Sequence, residues 1–203
     1  MQAFLNMLAE SFDLPILDWI QANLQCAFMD FIMPIITIFG DAGIFWIAVA
    51  VVLLFIPKYR KVGMAMGAAL IMGVLVCNVT MKPLIGRIRP YDYQIKNLGL
   101  TWNDILLGGK LLVETPHDYS FPSGHTIASF EAATVLLIND KRLGIPAMIL
   151  AVLIAFSRMY LYVHYPTDVI FSVIAGIGFA FLGNWLVNFI ASKIPAKKGK
   201  FEN

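Results

Sequence analysis

The sequence has few charged residues for its length, and this scarcity limits the possible classes of protein. Asp, Glu, Lys and Arg make up only 14% of the 203 residues, whereas 59% of the residues are hydrophobic. A soluble domain carries about 25% charged residues. The net charge of +2 is too small to indicate a nucleic-acid partner. The composition excludes an ordinary soluble domain and predicts one integral membrane domain over residues 1–203.

Cysteine and early basic residues are also scarce. Cys26 and Cys77 both lie in apolar surroundings, so we interpret them as small buried hydrophobes rather than a disulfide pair. No spacing of Cys and His fits a metal site, so we expect neither a metal nor another cofactor. No Lys or Arg precedes Lys58, and Glu10 and Asp13 fall where the apolar core of a leader would begin. We therefore expect no cleavable signal peptide.

Hydrophobic stretches predict an all-α, polytopic transmembrane helical bundle. Because a helix of about 20 apolar residues spans the bilayer, five stretches are candidate spans: residues 42–56, 62–81, 124–138, 143–163 and 169–191. The first of these is short, so we expect it to include residues before Gly43. Residues 1–41 form either an interfacial amphipathic segment or a sixth span, and we favour six.

Basic residues predict the orientation of the bundle. Lys58, Arg60 and Lys61 lie in one loop, Lys141 and Arg142 lie in another, and four lysines lie in or next to the tail 192–203. These segments share one face by alternation, and the positive-inside rule makes that face cytoplasmic. The long segment 82–123 and the turn 157–168 then lie at the extracytoplasmic ends of the helices.

Both outer segments contain residues typical of a phosphate site. Pro122-Ser123-Gly124-His125 begins a predicted helix, where we expect free backbone amides to bind an anion. In the turn, a carboxylate at Asp168 could hold one ring nitrogen of His164 and leave the other free as a nucleophile. Lys82, Arg89 and Arg158 supply positive charge for phosphate oxygens. The alternative interpretation is purely structural: His164 is a lone histidine at the membrane interface, and the basic side chains snorkel at helix ends.

Three motifs resemble one family. Lys82 through Pro90 reads K-x6-R-P, residues 122–125 read P-S-G-H, and residues 157–168 read S-R-x5-H-x3-D. Their order is similar to that of the type 2 phosphatidic acid phosphatase family, which shares its core with vanadium haloperoxidases. The motifs cover few residues, but the pattern of spans extends the likeness over most of the chain.

This resemblance implies a role for each matched residue. His164 would attack phosphorus and form a phosphohistidine, Asp168 would orient His164, and His125 would protonate the leaving oxygen and later activate water. The residues that would hold the phosphate oxygens are Lys82, Arg89, Ser123, Gly124 and Arg158. The family uses no metal. The implied function is a metal-independent lipid phosphate phosphatase whose active site faces the extracytoplasmic side of the cell membrane.

The partners implied are the bilayer and a lipid phosphate. Undecaprenyl diphosphate, phosphatidylglycerophosphate and phosphatidic acid are candidate substrates, and we place the polyprenyl carrier slightly ahead. Two alternatives use the same pocket: a non-enzymatic lipid-phosphate binder or transporter, and haloperoxidase-like vanadate chemistry. The oligomeric state cannot be read from the sequence.

Four further polar residues have open or structural interpretations. We interpret Arg87 and Lys96 as side chains that snorkel at helix ends. Glu131 is an intramembrane carboxylate, so it is either functional or paired with a group such as Asn78. His117 is either a contact near the phosphate or a solvated loop residue, and we favour the loop.

Overall fold

The computed structural model describes residues 1–106 and 109–193, and within these ranges the chain is helical with no strand. The helices are α1 (Gln2–Leu8), α2 (Leu14–Leu24), α3 (Ala27–Ile38), α4 (Ile44–Phe55), α5 (Arg60–Gly73), α6 (Lys82–Ile85), α7 (Pro90–Leu98), α8 (Trp102–Ile105), α9 (Gly124–Asn139), α10 (Lys141–Tyr160) and α11 (Pro166–Lys193). The helical, membrane-spanning class predicted from the sequence is confirmed. Lys197, Lys198 and Lys200 of the predicted cytoplasmic tail lie outside the described residues.

Helix α9 is the centre of the bundle. It packs against α5, α10 and α11, and α5 packs in turn against α4 and α11. Trp46, Met66, Val135 and Ile154 are among the fully buried side chains of this core. Large apolar side chains on the outward faces of α4 and α11, such as Phe55 and Trp185, are exposed, as the lipid-facing side of a membrane helix requires.

Four segments in the described part of the chain are long and apolar enough to cross a membrane: Ala27–Phe55, Pro57–Leu98, Lys141–Tyr160 and Pro166–Lys193. Helix α9, with 16 residues, is shorter and is largely enclosed by its neighbours. The expectation that the 42–56 span includes earlier residues is confirmed, because the first segment begins at Ala27. Its helix is interrupted at residues 39–43, where Ala42 and Gly43 adopt left-handed conformations.

Helices α1 and α2 lie at one end of this bundle. A π-helical turn, Ala9–Asp13, joins them. Gln2 donates a hydrogen bond to the carbonyl of Ile85, and Gln21 donates one to the carbonyl of Tyr160. Both partners belong to the two segments, 82–123 and 157–168, that the sequence places at the same membrane face. The count of six spans stays a prediction, and these contacts favour its alternative, an interfacial N-terminal segment.

Segment 82–123 is more ordered than a simple loop. Gly86 ends α6 in a left-handed conformation, and Pro90 begins α7. The Ser120 amide donates a 2.7 Å hydrogen bond to the carbonyl of Arg87, which holds the end of the segment beside its beginning. Arg89 and Ser123 are thereby brought to the same end of the bundle as the 157–168 turn.

Candidate active site

A cavity of about 670 Å³ opens between the two outer segments and the helix ends. Its volume lies in the range typical of small-molecule sites. Six of the eight residues predicted to form the site line it: Lys82, Arg89, Gly124, His125, Arg158 and His164. The other two, Ser123 and Asp168, are fully buried behind its wall. The folded chain therefore brings together residues from all three sequence motifs.

His164 lies in the turn between α10 and α11 and is 2% exposed. Its Nε2 is 3.3 Å from Nη1 of Arg89, and its Nδ1 is 3.6 Å from Oδ2 of Asp168. Burial, and next the positive charges of Arg89, Arg158 and Lys82, hold the pKa of His164 well below its ordinary value. The imidazole is therefore neutral near pH 7, with Nε2 directed towards the cations and Nδ1 towards a carboxylate.

The Asp168 carboxylate is held by groups that the sequence analysis did not assign to the site. Ser120 donates from its hydroxyl, Tyr165 donates from its backbone amide at 3.1 Å, and Arg87 donates from Nη1 at 2.5 Å. The other end of the Arg87 guanidinium donates to Asp13 at 2.6 Å. Arg87, Asp13 and Asp168 are all nearly or fully buried, and we call these three residues the acid network.

The interpretation of Arg87 as a snorkelling side chain is wrong. Its side chain is 4% exposed, and its guanidinium carbon lies 3.8 Å from the centre of the Tyr165 ring. Two buried carboxylates require a compensating cation, because an unpaired buried charge is costly. Arg87 therefore points inward to a pair of acids.

Lys82 and Arg89 both bind Asp118. This carboxylate belongs to the loop before Ser120, and each cation forms an ion pair with one of its oxygens. Burial acts to raise the pKa of Asp118, but the hydrogen bonds and positive charges of the two cations outweigh burial and lower that pKa to about 2. The two cations thus already bind an anionic oxygen group at the wall of the cavity.

Arg158 is the third cation and is 4% exposed. Its Nη1 donates a 2.6 Å hydrogen bond to Thr37, whereas its Nε has no hydrogen-bond partner among the described residues. A buried guanidinium with an unused donor on a cavity wall favours an anionic ligand. We call Lys82, Arg89 and Arg158 the cation cluster.

The Pro122–His125 motif begins α9 as predicted, but one expected donor is occupied. The Ser123 amide donates to the hydroxyl of Ser172 at 2.9 Å, and the Ser123 hydroxyl pairs with Thr126. The prediction of a free Ser123 amide is therefore wrong, because α11 packs close enough to supply an acceptor. His125 does reach the cavity, and Oδ1 of Asp41 lies 2.6 Å from its Nε2.

Two residues with open interpretations line the cavity. His117 is exposed in the loop at its mouth and also lines the cavity, so both interpretations of this residue stay open. Glu131 lies on the α9 wall and is 1% exposed, and its Oε1 has no hydrogen-bond partner in the described part of the chain. The suggested pairing of Glu131 with Asn78 is not formed. Within residues 1–106 and 109–193, no three His, Cys, Asp or Glu side chains are grouped to hold a metal ion.

Sequence reasoning missed Asp13, Asp41, Arg87, Asp118 and Ser120. A weak signal existed for two of them, since an acidic residue within or beside an apolar stretch is costly unless it has a partner. Asp13 and Asp41 both meet that description. Their partners, however, lie 74 and 84 residues away along the chain, and no local pattern links them.

The profile of the PAP2 superfamily matches residues 62–191. This range contains all three motifs and most of the cavity wall. The chain belongs to the PAP2 superfamily.

Individual relatives support this assignment. The chain is 32% identical to an undecaprenyl-diphosphatase of Sulfolobus acidocaldarius over 78% of its own length and 70% of that relative. It is 35% identical to a lipid A 4'-phosphatase of Bacteroides thetaiotaomicron, over 60% of this chain and half of that relative's length. Among solved structures, it resembles a transmembrane PAP2-type phosphatidylglycerolphosphate phosphatase of Bacillus subtilis with a TM-score of 0.63 and 25% identity, over 93% of this chain and 89% of that one.

Proposed function

We propose that this protein is a membrane phosphatase that hydrolyses the phosphate of a lipid monophosphate or diphosphate. The observation that carries the proposal is a neutral, buried His164 on the cavity wall, whose Nε2 lies 3.3 Å from Arg89 of the cation cluster. The three relatives described above are named as phosphatases of lipid phosphates, which supports the same class of reaction.

In the first step, Nε2 of His164 attacks phosphorus while the bond to the leaving oxygen breaks. The His164 ring keeps its Nδ1 proton, because Asp168 stabilises the positive charge that the ring gains. Arg89, Lys82 and Arg158 stabilise the charge that spreads over the equatorial oxygens of the transition state. His125 takes up a proton when the anionic substrate binds beside it and gives that proton to the leaving oxygen, so that an alcohol or a lipid monophosphate departs.

In the second step, water attacks the phosphorus of the phosphohistidine. His125, now neutral, takes a proton from that water, the P–N bond breaks, and inorganic phosphate leaves. Asp41, whose carboxylate contacts Nε2 of His125, keeps the ring in place through both steps. Independence from metal ions stays a prediction of the family resemblance.

The position of the cavity agrees with a substrate that arrives from the bilayer. Its wall includes Pro34, Ile38, Ile47 and Val74 on apolar membrane helices as well as the cation cluster. We propose that the phosphate reaches the cations from the extracytoplasmic side, opposite the basic loops at Lys58 and Lys141. Undecaprenyl diphosphate, phosphatidylglycerophosphate and phosphatidic acid remain the candidate substrates.

Replacing the nucleophile tests the mechanism. His164→Asn should lower phosphate release from a lipid phosphate in detergent micelles by at least about a thousandfold, because the change removes the nitrogen that attacks phosphorus. Brief incubation of wild-type protein with 32P-labelled substrate should trap a labelled protein that is stable in base and labile in acid, as expected for phosphohistidine.

His117→Asn is the matched control, since it removes an exposed imidazole at the cavity mouth. This variant should keep phosphate release within a few fold of the wild-type rate. Turnover by His164→Asn at the wild-type rate would overturn the proposed mechanism. A wild-type protein that binds lipid phosphate without releasing phosphate would instead favour the binder or transporter.

A further inference from the structure

Glu131 is a buried carboxyl group for which the proposed reaction has no use. It lies on α9 with 1% of its surface exposed, and its side chain lines the cavity. Its Oε1 has no hydrogen-bond partner within the described residues. A buried polar atom without a partner destabilises the folded protein. This arrangement is costly for the free protein and becomes favourable when a ligand supplies the missing hydrogen bond.

The surroundings of Glu131 are apolar and closely packed. A Cβ atom on Gly73 would lie only 2.7 Å from the carboxyl carbon, so the group rests against the bare backbone of α5. Leu70 and Ile127 also line the cavity. Because desolvation strongly disfavours an isolated carboxylate, Glu131 is a neutral carboxylic acid there and can donate one hydrogen bond.

The position of Glu131 corresponds to the leaving-group side of the reaction. His125, the residue that protonates the leaving oxygen, lies six residues earlier on the same helix, a rise of about 9 Å. Both side chains line the cavity. Side chains on a helix lean towards its N-terminus, which brings the Glu131 carboxyl closer to His125. The part of the substrate that follows the leaving oxygen therefore passes towards Glu131.

Asn78 adds a second polar group to this path. It lines the cavity from the π-helical segment Val74–Met81, and its amide lies beside Gly124. π-Helical turns inside membrane helices are often found at functional sites. The cavity wall between the cation cluster and Leu70 thus carries two uncharged hydrogen-bonding groups, Asn78 and Glu131, beside apolar side chains.

We propose that Glu131 donates a hydrogen bond to an uncharged oxygen of the lipid, the ester carbonyl of a glycerol-based lipid phosphate. This inference rests on the proposed function and narrows its substrate class. In a diacylglycerol phosphate, ester carbonyls follow the leaving oxygen within a few bonds. A polyprenyl diphosphate places a second phosphate and then hydrocarbon along the same path, and neither suits a neutral acid in an apolar pocket. The proposal therefore favours glycerolipids over the polyprenyl carrier.

The experiment compares two substrates in the same mixed micelles: dioleoyl phosphatidic acid, and oleyl phosphate, which lacks the glycerol and both esters. Glu131→Leu should lower kcat/KM for phosphatidic acid by about tenfold, as expected for the loss of one buried hydrogen bond. It should leave kcat/KM for oleyl phosphate within twofold of wild type. Glu131→Gln, which keeps an N–H donor, should retain most of the preference for phosphatidic acid.

Thr134→Val is the matched control for this change. Thr134 is also a buried residue of α9 whose hydroxyl has no hydrogen-bond partner among the described residues, but it does not line the cavity. Its replacement should leave the ratio of the two kcat/KM values unchanged. The thermal midpoint of Glu131→Leu should equal or exceed that of wild type, since an unpaired buried carboxyl is removed.

Two results with the variant would overturn the inference. An equal loss of kcat/KM on both substrates in Glu131→Leu would make Glu131 a structural residue, and wild-type kcat/KM on both substrates would remove it from substrate recognition. In either case phosphate release by the wild type still stands, so the proposed function survives. If the wild-type protein released phosphate from undecaprenyl diphosphate but from neither of these two lipids, this inference would be overturned and the proposed function would stand. Absence of phosphate release from all three lipids would overturn both.

Discussion

The Arg87 guanidinium links the carboxylate behind the nucleophile to the N-terminal helices. One of its nitrogens donates to Asp168 and another donates to Asp13, while the amide of Thr167 also donates to Asp13 at 2.9 Å. The superfamily profile matches residues 62–191, so Asp13 lies outside the matched region. A residue from the N-terminal part of this chain therefore helps to fix the charge and orientation of the group that faces His164.

Asp13→Asn should lower kcat about tenfold and leave KM within twofold of wild type. The change removes one of the two carboxylates that Arg87 joins, so Asp168 is held less firmly, while the cation cluster that binds phosphate is untouched. Steady-state phosphate release with saturating lipid phosphate measures both constants.

Asp18→Asn is the control for Asp13→Asn. Asp18 lies on the same N-terminal helical segment as Asp13 and accepts a 2.6 Å hydrogen bond from Tyr162, but it does not contact the acid network. We expect wild-type kcat from this variant. If both substitutions lower kcat equally, or if Asp13→Asn raises KM instead, then Asp13 acts on stability or binding and not on the position of Asp168.

How well the sequence predicts each part of the site depends on how far apart along the chain the interacting residues lie. The motif residues Lys82, Arg89, His125 and His164 meet at one cavity, as their places beside hydrophobic stretches predicted. Arg87 was misassigned because its role depends on Asp13, and the folding of α2 onto the outer segments is not encoded in any nearby spacing. Long-range pairs between single charged residues leave no periodic signal in one sequence.

At the scale of the helices, hydrophobic length predicted the membrane segments well but missed the break in the first one. The predicted stretches 124–138, 143–163 and 169–191 correspond to α9, α10 and α11. The chain from Ala27 to Phe55, in contrast, is interrupted at Ala42 and Gly43 by left-handed backbone. That break places Asp41 against His125. A hydropathy average does not detect this turn, because the helices on both sides of it are apolar.

Close contact between α11 and α5 depends on glycine. A Cβ atom on Gly183 would lie 2.7 Å from the carbonyl oxygen of Ala65 and 3.0 Å from the amide of Ala69, both backbone atoms that cannot rotate away. Gly178, on the same helix, has open space where its Cβ would be. Small residues at helix contacts are a common means of packing membrane helices.

Gly183→Val should therefore destabilise the protein by about 1–3 kcal/mol, the usual cost of overpacking a close contact. Gly178→Val, with the same change in side chain, should have little effect. The apparent thermal midpoint in detergent, followed by intrinsic tryptophan fluorescence, measures the difference. Equal midpoints for the two variants would show that α5 and α11 do not pack as closely as described.

At the scale of the whole molecule, the acid network, the cation cluster and the N-terminal helices lie at one end of the bundle. The side chain of Tyr93 on α7 donates to Glu10, and Tyr162 in the outer turn donates to Asp18. Tyr93 lies in segment 82–123 and Tyr162 lies in the turn 157–168, and Gln94 of the first segment also donates to Asp18. The N-terminal residues therefore contact both segments, and α1 and α2 cover that end of the bundle as a layer. A layer of this kind explains why the first 24 residues are amphipathic.

This arrangement makes the membrane topology testable by thiol labelling. In a background with Cys26→Ser and Cys77→Ala, single cysteines at exposed positions would be introduced as Ser11→Cys, Asn97→Cys and Lys141→Cys. A membrane-impermeant maleimide applied to intact cells should label the first two, whereas Lys141→Cys should react only after permeabilisation. Labelling of Ser11→Cys together with Lys141→Cys would establish the sixth span, because residues 1–24 would then begin on the cytoplasmic side. If Asn97→Cys and Lys141→Cys were labelled from the same side of the membrane, the proposed outward-facing site would be refuted. Segment 82–123 and the basic loop at Lys141 would then not lie on opposite sides.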